Sequence, residues 1–533
     1  MIAGDENQLR ANGLKVIDRT MLLLLQLYGV IALICLAITP HFFLPSEDAV
    51  ILLQYSRNLA QHGAITFLTY GPHAEGATDF AWMIMVAAAQ KIGVAPFWFC
   101  ALSNIVCLLL LGLVLARLAG VRATAGGLLA VTGAAALFPQ IFAAAFGFAV
   151  LPDALLLSLL VMFTVRERPA AASLAALVLC LMRPDGVVFV LPLLLFLILQ
   201  NRRAVPAVLL WFVLPGVTYF LWRWHYFGGL FPLPFLVKGT TPRTLGLVVI
   251  QSVRRSLSFL AFGAVVLVPF VRWREGWNRR LLVSLVLVPT MFYWAMRLDQ
   301  NVGFRFYYYL PLATALLLAL NWQSFGPRKV QALRVAFVAW LVLFAMPLSR
   351  ELRTFRDEQF TNVKQIATEL GKLPQPGSML VTEAGFLPYY SGWTVYDAWG
   401  LNTAEFAHRF IQPDDVTHLR PEIVVLHPDP DESCLVQPDW PAAFAGRTWK
   451  HMTRNLTIGA TGDGYELWLL SYGSEYHRQR MHWQYGQGDR ECWFVRRDAP
   501  QHDAITRVLA ANHAVGPPQS LAMEQAIRVT TEP

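Results

Sequence analysis

A chain of 533 residues in which 56% are hydrophobic and only 15% charged, with a mean hydropathy of +0.45, is too apolar for an ordinary soluble protein of its size. The net charge of +8 does not point to nucleic acid, because the cations sit in short clusters between apolar runs and no nucleic-acid motif accompanies them. A membrane-embedded body surrounded by lipid is expected.

Arg10, Lys15 and Arg19 precede a first apolar run at 21–39. It is too long for the apolar stretch of a signal peptide and lacks a small-residue cleavage site, so it reads as a retained helix. Further runs lie at 97–116, 123–139, 152–164, 170–182, 187–199, 204–222, 257–271, 281–296, 307–320 and 335–347. Together they predict a mainly α membrane protein of about eleven spans, several shorter than the ~20 residues of a straight crossing and therefore expected to extend into polar flanks. With the N-terminus in the cytoplasm, alternate loops carry Arg117 with Arg122, Arg166 with Arg168, Arg202 with Arg203, Arg272 with Arg274, Arg279 and Arg280, and Arg328 with Lys329. That is the cation bias of cytoplasmic loops. It holds only if the run at 78–93, which ends in Gln90 and Lys91, lies in the interface instead of crossing.

From about residue 349 polar residues dominate. Two domains are expected: a membrane domain at 1–348, with a first outer loop at 40–96, and a soluble α/β domain at 349–533 with short strands at 422–426 and 465–470. An odd number of spans puts the second domain on the periplasmic side of an inner membrane. Cys434 and Cys492 lie there and could pair if the compartment is oxidising. The last ~20 residues read as a disordered tail.

Scarce charge makes its placement informative. Glu47 and Asp48 follow Ser46, so they either complement a helix N-terminus or supply a general base. Glu75 and Asp79 flank a glycine turn. Arg57, Arg183, Arg223, Lys238 and Arg305 share the acid-rich face, where each could snorkel to headgroups or, as a set, hold a phosphate leaving group. Asp153 stands at the outer edge of an apolar run. His41, His62, His73 and His225 have no ligand spacing, which argues against a dedicated metal site, although carboxylates could recruit a loosely held divalent ion. No phosphate-binding glycine loop for a nucleotide is present.

Glu47, Asp48, Ala49, Arg57, Asn58, Leu59 and Gly63, followed by Glu75, Gly76, Thr78, Phe80 and Trp82, resemble the first extracytoplasmic loop of the GT-C membrane glycosyltransferases, most of all the arabinofuranosyltransferase branch of mycobacterial cell-wall synthesis. Four later segments share the resemblance: R-P-D-G from Arg183, the stretch from Arg223 to Lys238, D-x-x-x-G-x-R from Asp299 to Arg305, and A-G-x-L-P-Y-Y-S from Ala384 to Ser391. Gln54 and Asp79 depart from the family pattern and bear on sugar or acceptor preference, and Leu233 replaces the pattern's customary asparagine, which removes one expected polar contact.

The resemblance implies a GT-C helical bundle with interfacial helices in the first outer loop. Its implied reaction moves a sugar, with arabinofuranose one candidate, from a polyprenyl phosphate to a hydroxyl of a cell-envelope glycan, lipid or protein. Asp48, with Glu47 and Glu75, is the implied catalytic set, and the five cations the implied phosphate site. Asn58, Thr78, Asp79, Trp82, Asp153, Asp185, Tyr226, Asp299, Tyr389 and Tyr390 are implied sugar or acceptor contacts. The competing readings are a transporter of lipid-linked saccharides and a glycan-binding relative without catalysis.

Overall fold

The first apolar run folds as helix α1, Arg19–Phe42, and extends past the predicted end of the run. Its Leu23, Leu27, Ile31 and Ile34 are exposed, an arrangement suited to lipid and costly in water. The structure, a computed structural model, describes residues 19–120, 124–136, 141–240, 245–296, 302–333, 335–336, 339, 361–429, 432–471 and 490–531. Most of the predicted span at 335–347 and the boundary at 348/349 lie outside the described residues.

Helix α1 packs closely on Ala125–Ala136 through small residues. A Cβ added to Gly133 would come 1.9 Å from the Leu25 carbonyl oxygen, so only glycine permits this approach, as is common between membrane helices. Three helices among the described residues are long and apolar enough to cross a membrane: Leu22–Phe42, Pro96–Leu118 and Arg202–Phe227. Shorter apolar helices include Val150–Val165, Pro169–Met182 and Pro184–Gln200. The run at 257–271 is the second half of a longer helix, Leu245–Phe270.

Two predicted spans contain a π-helical turn, Leu209–Val213 and Val283–Leu287. Each lies just ahead of a proline, Pro215 or Pro289. The proline ring removes one helical hydrogen bond and crowds the carbonyl four residues back, and a widened turn relieves both.

Helix α2, Glu47–His62, begins the first loop and ends at Gly63 in the left-handed conformation. Ser46 makes no side-chain cap bond. Helix α3, Phe80–Lys91, has 12 residues, about 18 Å at 1.5 Å each, and is too short to cross. It packs on α2.

The predicted basic loops meet at one end of the bundle. Arg166 donates to the Arg117 carbonyl at 3.5 Å, Gln200 to Glu167 at 2.8 Å and Arg280 to Gln200 at 2.7 Å. Gln323 donates to the Ala119 carbonyl at 2.6 Å, and the Arg272 amide to Asn321 at 3.2 Å.

At the other end sits a five-stranded sheet. Strands β1 (Ser378–Val381), β2 (Thr394–Asp397), β3 (Ile423–Leu426), β4 (Tyr465–Ser471) and β5 (Arg490–Arg496) take the order β2-β1-β3-β5-β4. β1 runs parallel to β2 and β3, whereas β5 is antiparallel to β3 and β4. β3 and β4 match the two strands expected from sequence. The turn-rich stretch before them also forms the helix Phe386–Ser391 and strand β2.

Side chains alternate across the sheet. Met379, Val381, Val425, Trp493 and Val495 join a core with Tyr55, Phe67 and Trp82 of the first loop. Leu380, Val424, Cys492 and Phe494 join a second core on the opposite face. Each large side chain buried this way contributes about 1.5–3 kcal/mol, so the sheet is seated on the loop helices by packing.

The expected disordered tail is instead a helix, Gln519–Thr531. Its buried Glu524 accepts from Arg490 and from the Cys434 amide, which supplies the tether that the polar sequence hides. Cys434 and Cys492 form a disulfide, with Cα atoms 6.0 Å apart.

Candidate active site

A cavity of about 590 Å³ lies between the first loop, the bundle end and the sheet. Asp48 reaches it from the first turn of α2, where Arg305 donates to its carboxylate at 2.7 Å. Arg305 stands on a short 3-10 turn, Val302–Tyr307, and its guanidinium lies 4.0 Å from the Phe148 ring centroid. The residue before it, Phe304, has φ of 55°, a conformation that costs a non-glycine residue on the order of 1 kcal/mol and often marks a functional turn. Arg305 Nη1 is buried and has no hydrogen-bond partner among the described residues.

Asp79, Arg183 and Lys238 line the same cavity, as do Glu47 and Thr78. Arg183 makes a two-pronged contact with Asp185 at 3.0 and 2.8 Å and lies 3.7 Å from Asp153. Tyr293 donates to Asp185 at 2.6 Å. Burial pushes Asp79 above the usual carboxylate range, and the guanidinium groups of Arg183 and Arg305 oppose that shift.

Glu47 connects the first loop to the sheet domain. Its carboxylate accepts from the Gly385 amide at 2.6 Å and the Phe386 amide at 3.0 Å. A Cβ on Gly385 would sit 2.3 Å from the Glu47 carbonyl oxygen, which explains the glycine of A-G-x-L-P-Y-Y-S. Burial and the nearby charge of Glu383 hold Glu47 well above its ordinary value, while the two amides pull the other way.

Other expected residues are placed elsewhere. Glu75 and Arg223 do not line the cavity and hold each other in a buried pair, with Nε to Oε1 at 2.6 Å and a second bond between Nη2 and Oε2. Arg223 also donates to the Leu230 carbonyl at 3.0 Å. Arg57 donates to Gln54 at 2.6 Å and to the Tyr389 carbonyl. Asn58 is buried and donates to the Thr66 and Phe67 carbonyls, and Trp82 is core. The Tyr226 hydroxyl accepts from the Ile65 amide at 2.9 Å, and its ring stacks on His73 at 3.9 Å. Tyr389 and Tyr390 pack against the core under the sheet, away from the cavity lining. Gln54 is likewise buried, donating to the Phe67 carbonyl, and Leu233 is packed with Trp399. Asp299 lies outside the described residues.

The sheet contributes cavity residues that sequence inspection did not single out: Thr382, Glu383, Asp397, His427, Asp429 and Trp449. Asp397 accepts from the amides of Trp399 and Asn402 at 2.9 Å each and from the Asn402 side chain at 2.8 Å. Burial nonetheless pushes it up to about 6. The available signal was strand-end position: Glu383 and His427 follow β1 and β3, where open parallel sheets carry their ligand sites.

Among known families, the model of DUF8728, described as a domain of unknown function, matches residues 350–476. Comparison with curated proteins finds none. Among solved structures the chain is similar to ArnT from Cupriavidus metallidurans, in one crystal structure bound to undecaprenyl phosphate and in another in the apo state. Identity is 15% and the TM-score 0.49 in both; 76% of this chain is covered, with 93% and 92% of the two ArnT chains.

Proposed function

We propose that this protein is a GT-C-type integral-membrane glycosyltransferase that moves a sugar from a polyprenyl phosphate to an acceptor hydroxyl at the extracytoplasmic face. The observation that carries the reading is the Nη1 donor of Arg305 beside Asp48, unsatisfied among the described residues, in a cavity shared with Lys238 and Asp79. A buried donor without a partner is costly in a native fold and is explained by an acceptor that arrives with the substrate.

In this reading Arg305 and Lys238 bind the phosphate, and Arg183, engaged with Asp185, holds that wall in place. The acceptor hydroxyl gives its proton to Asp48 while its oxygen forms a bond to the anomeric carbon. The bond from that carbon to the phosphate oxygen breaks, and the electron pair leaves with the polyprenyl phosphate, stabilised by the two cations. The gathering of basic loops at the far end of the bundle supports an N-terminus in the cytoplasm and a periplasmic sheet domain. Arabinofuranose is the first sugar to test, because the loop motif resembles that branch.

The test is donor turnover by purified protein in lipid nanodiscs, read as polyprenyl phosphate released from a polyprenyl-phosphate arabinofuranose. Wild type releases it and Asp48→Asn does not. An intact donor in the presence of envelope-glycan and lipid acceptors, together with movement of the donor between leaflets, overturns the reading in favour of a transporter.

A further inference from the structure

Three adjacent strands meet beside the cavity, and the ends of two of them line it. β1 leads into Thr382 and Glu383, β3 leads into His427, and β5 begins with Arg490 and Glu491. Because β5 is antiparallel to β3, with Cys492 opposite Leu426, the start of β5 lies beside the end of β3. The Thr382 amide donates to the Val425 carbonyl at 3.1 Å, which sets the end of β1 beside β3. Residues from three separate parts of the sequence are thereby brought to one point.

We propose that Glu383, His427 and Glu491 bind one divalent cation of the Zn2+ or Mn2+ class at the sheet wall of the cavity. Their ligand atoms all lie within 4.8 Å of one another, and His427 Nδ1 is 3.7 Å from Glu383 Oε1. Metal–ligand bonds of about 2.0–2.2 Å at tetrahedral angles separate ligand atoms by roughly 3.4 Å, so small side-chain movements close the set around an ion.

The supports of the three ligands are in place. The Trp493 indole donates to Glu491 Oε2 at 2.8 Å and fixes that carboxylate's orientation. The His427 backbone is held on both sides: its amide donates to Thr382 Oγ1 at 2.9 Å, and its carbonyl accepts from Trp449 Nε1 at 2.8 Å. Such outer contacts aim metal ligands and set affinity. Glu491 is buried, 2% exposed, so a cation bound there would sit out of reach of bulk water.

One imidazole and two carboxylates favour a borderline ion over Mg2+ or Ca2+. Glu383 and His427 line the cavity, so the remaining coordination positions face it and accept a water or an oxygen of a bound anion. This inference stands on the sheet geometry and does not require sugar transfer.

The experiment is metal content by mass spectrometry and Zn2+ titration calorimetry on tag-free, full-length protein in detergent without substrate. One Zn2+ per chain is expected, with Mn2+ binding more weakly in line with the stability order of divalent ions. His427→Gln and Glu491→Gln each lower Zn2+ affinity by at least about a hundredfold, a loss at the upper end of what removing an outer contact alone produces. Glu383→Gln, at a partly exposed position, decides the matter if the buried Glu491 variant does not fold. The proposal is overturned if wild type binds less than one tenth of an equivalent, or if folded Glu383→Gln and His427→Gln bind Zn2+ as wild type does. Neither result depends on whether the protein turns over a lipid donor.

Discussion

Arg305 and Asp48, 257 positions apart in the sequence, meet at 2.7 Å on the cavity wall, and the same guanidinium leaves Nη1 without a partner among the described residues. Asp48 therefore uses one edge of the cation, and in the proposed mechanism the other edge takes the incoming phosphate. A polyprenyl phosphate should raise the thermal midpoint of wild type and of Asp48→Asn, because both keep the donor. It should not raise that of Arg305→Gln. In turnover assays Asp48→Asn should lose about a thousandfold in rate, within the range for removal of a general base. Retained turnover in Asp48→Asn removes Asp48 from the mechanism.

Glu75 and Arg223 tie the first loop to the segment after Phe227, and Leu233 adds its amide to the Glu75 carbonyl at 3.2 Å. Removing one partner strands a buried charge. Arg223→Met is expected to destabilise by about 3–5 kcal/mol, and Glu75→Gln with Arg223→Met together to recover part of that loss. Denaturation of the detergent-solubilised variants measures both. A single variant as stable as wild type would show that the pair is not structural.

Asp397 sets a pH dependence whose sign follows from its raised value of about 6. The folded state holds its proton up to that pH, whereas the unfolded chain releases it near 4. Its contribution is thus fully present below about pH 4 and is lost as pH rises through about 6, a difference on the order of 2–3 kcal/mol. The stability gap between wild type and Asp397→Asn should widen in favour of wild type between pH 7 and pH 4. A constant gap across that range contradicts the assignment.

Gly385 tests how closely the first loop must approach the sheet domain. Gly385→Ala places a methyl 2.3 Å from backbone and should cost about 1–3 kcal/mol, with transfer falling as the cavity wall shifts. Gly276→Ala is the control, since nothing lies within 4 Å of its added carbon and its cost should stay within about 0.5 kcal/mol. Equal effects at both positions would exclude steric contact as the cause.

The helical body was legible because apolar runs signal their own burial or lipid exposure, and the short run at 78–93 was recognisable as too short to cross. Asp48, Asp79, Arg183, Lys238 and Arg305 stood out because charge is rare, and they share one cavity. The same reasoning could not separate cavity residues from struts. Glu75, Arg223, Arg57 and Asn58 carry equally conspicuous polar groups, yet each is engaged by a partner that only the tertiary fold supplies. Ser46 has the right type and position for a cap, but makes no side-chain cap bond. Glu383, His427 and Glu491 were illegible for the opposite reason: their spacing has no period, since three strand ends assemble them.

Tyr55, Phe67 and Trp82 share one apolar cluster with Trp493 and Val495. Some 400 residues of synthesis separate the halves of that cluster, roughly 20–80 s at ordinary translation rates. Over that interval the first loop has been made with its apolar face uncovered, so biogenesis of this protein depends on whatever shields that face until the last strand emerges.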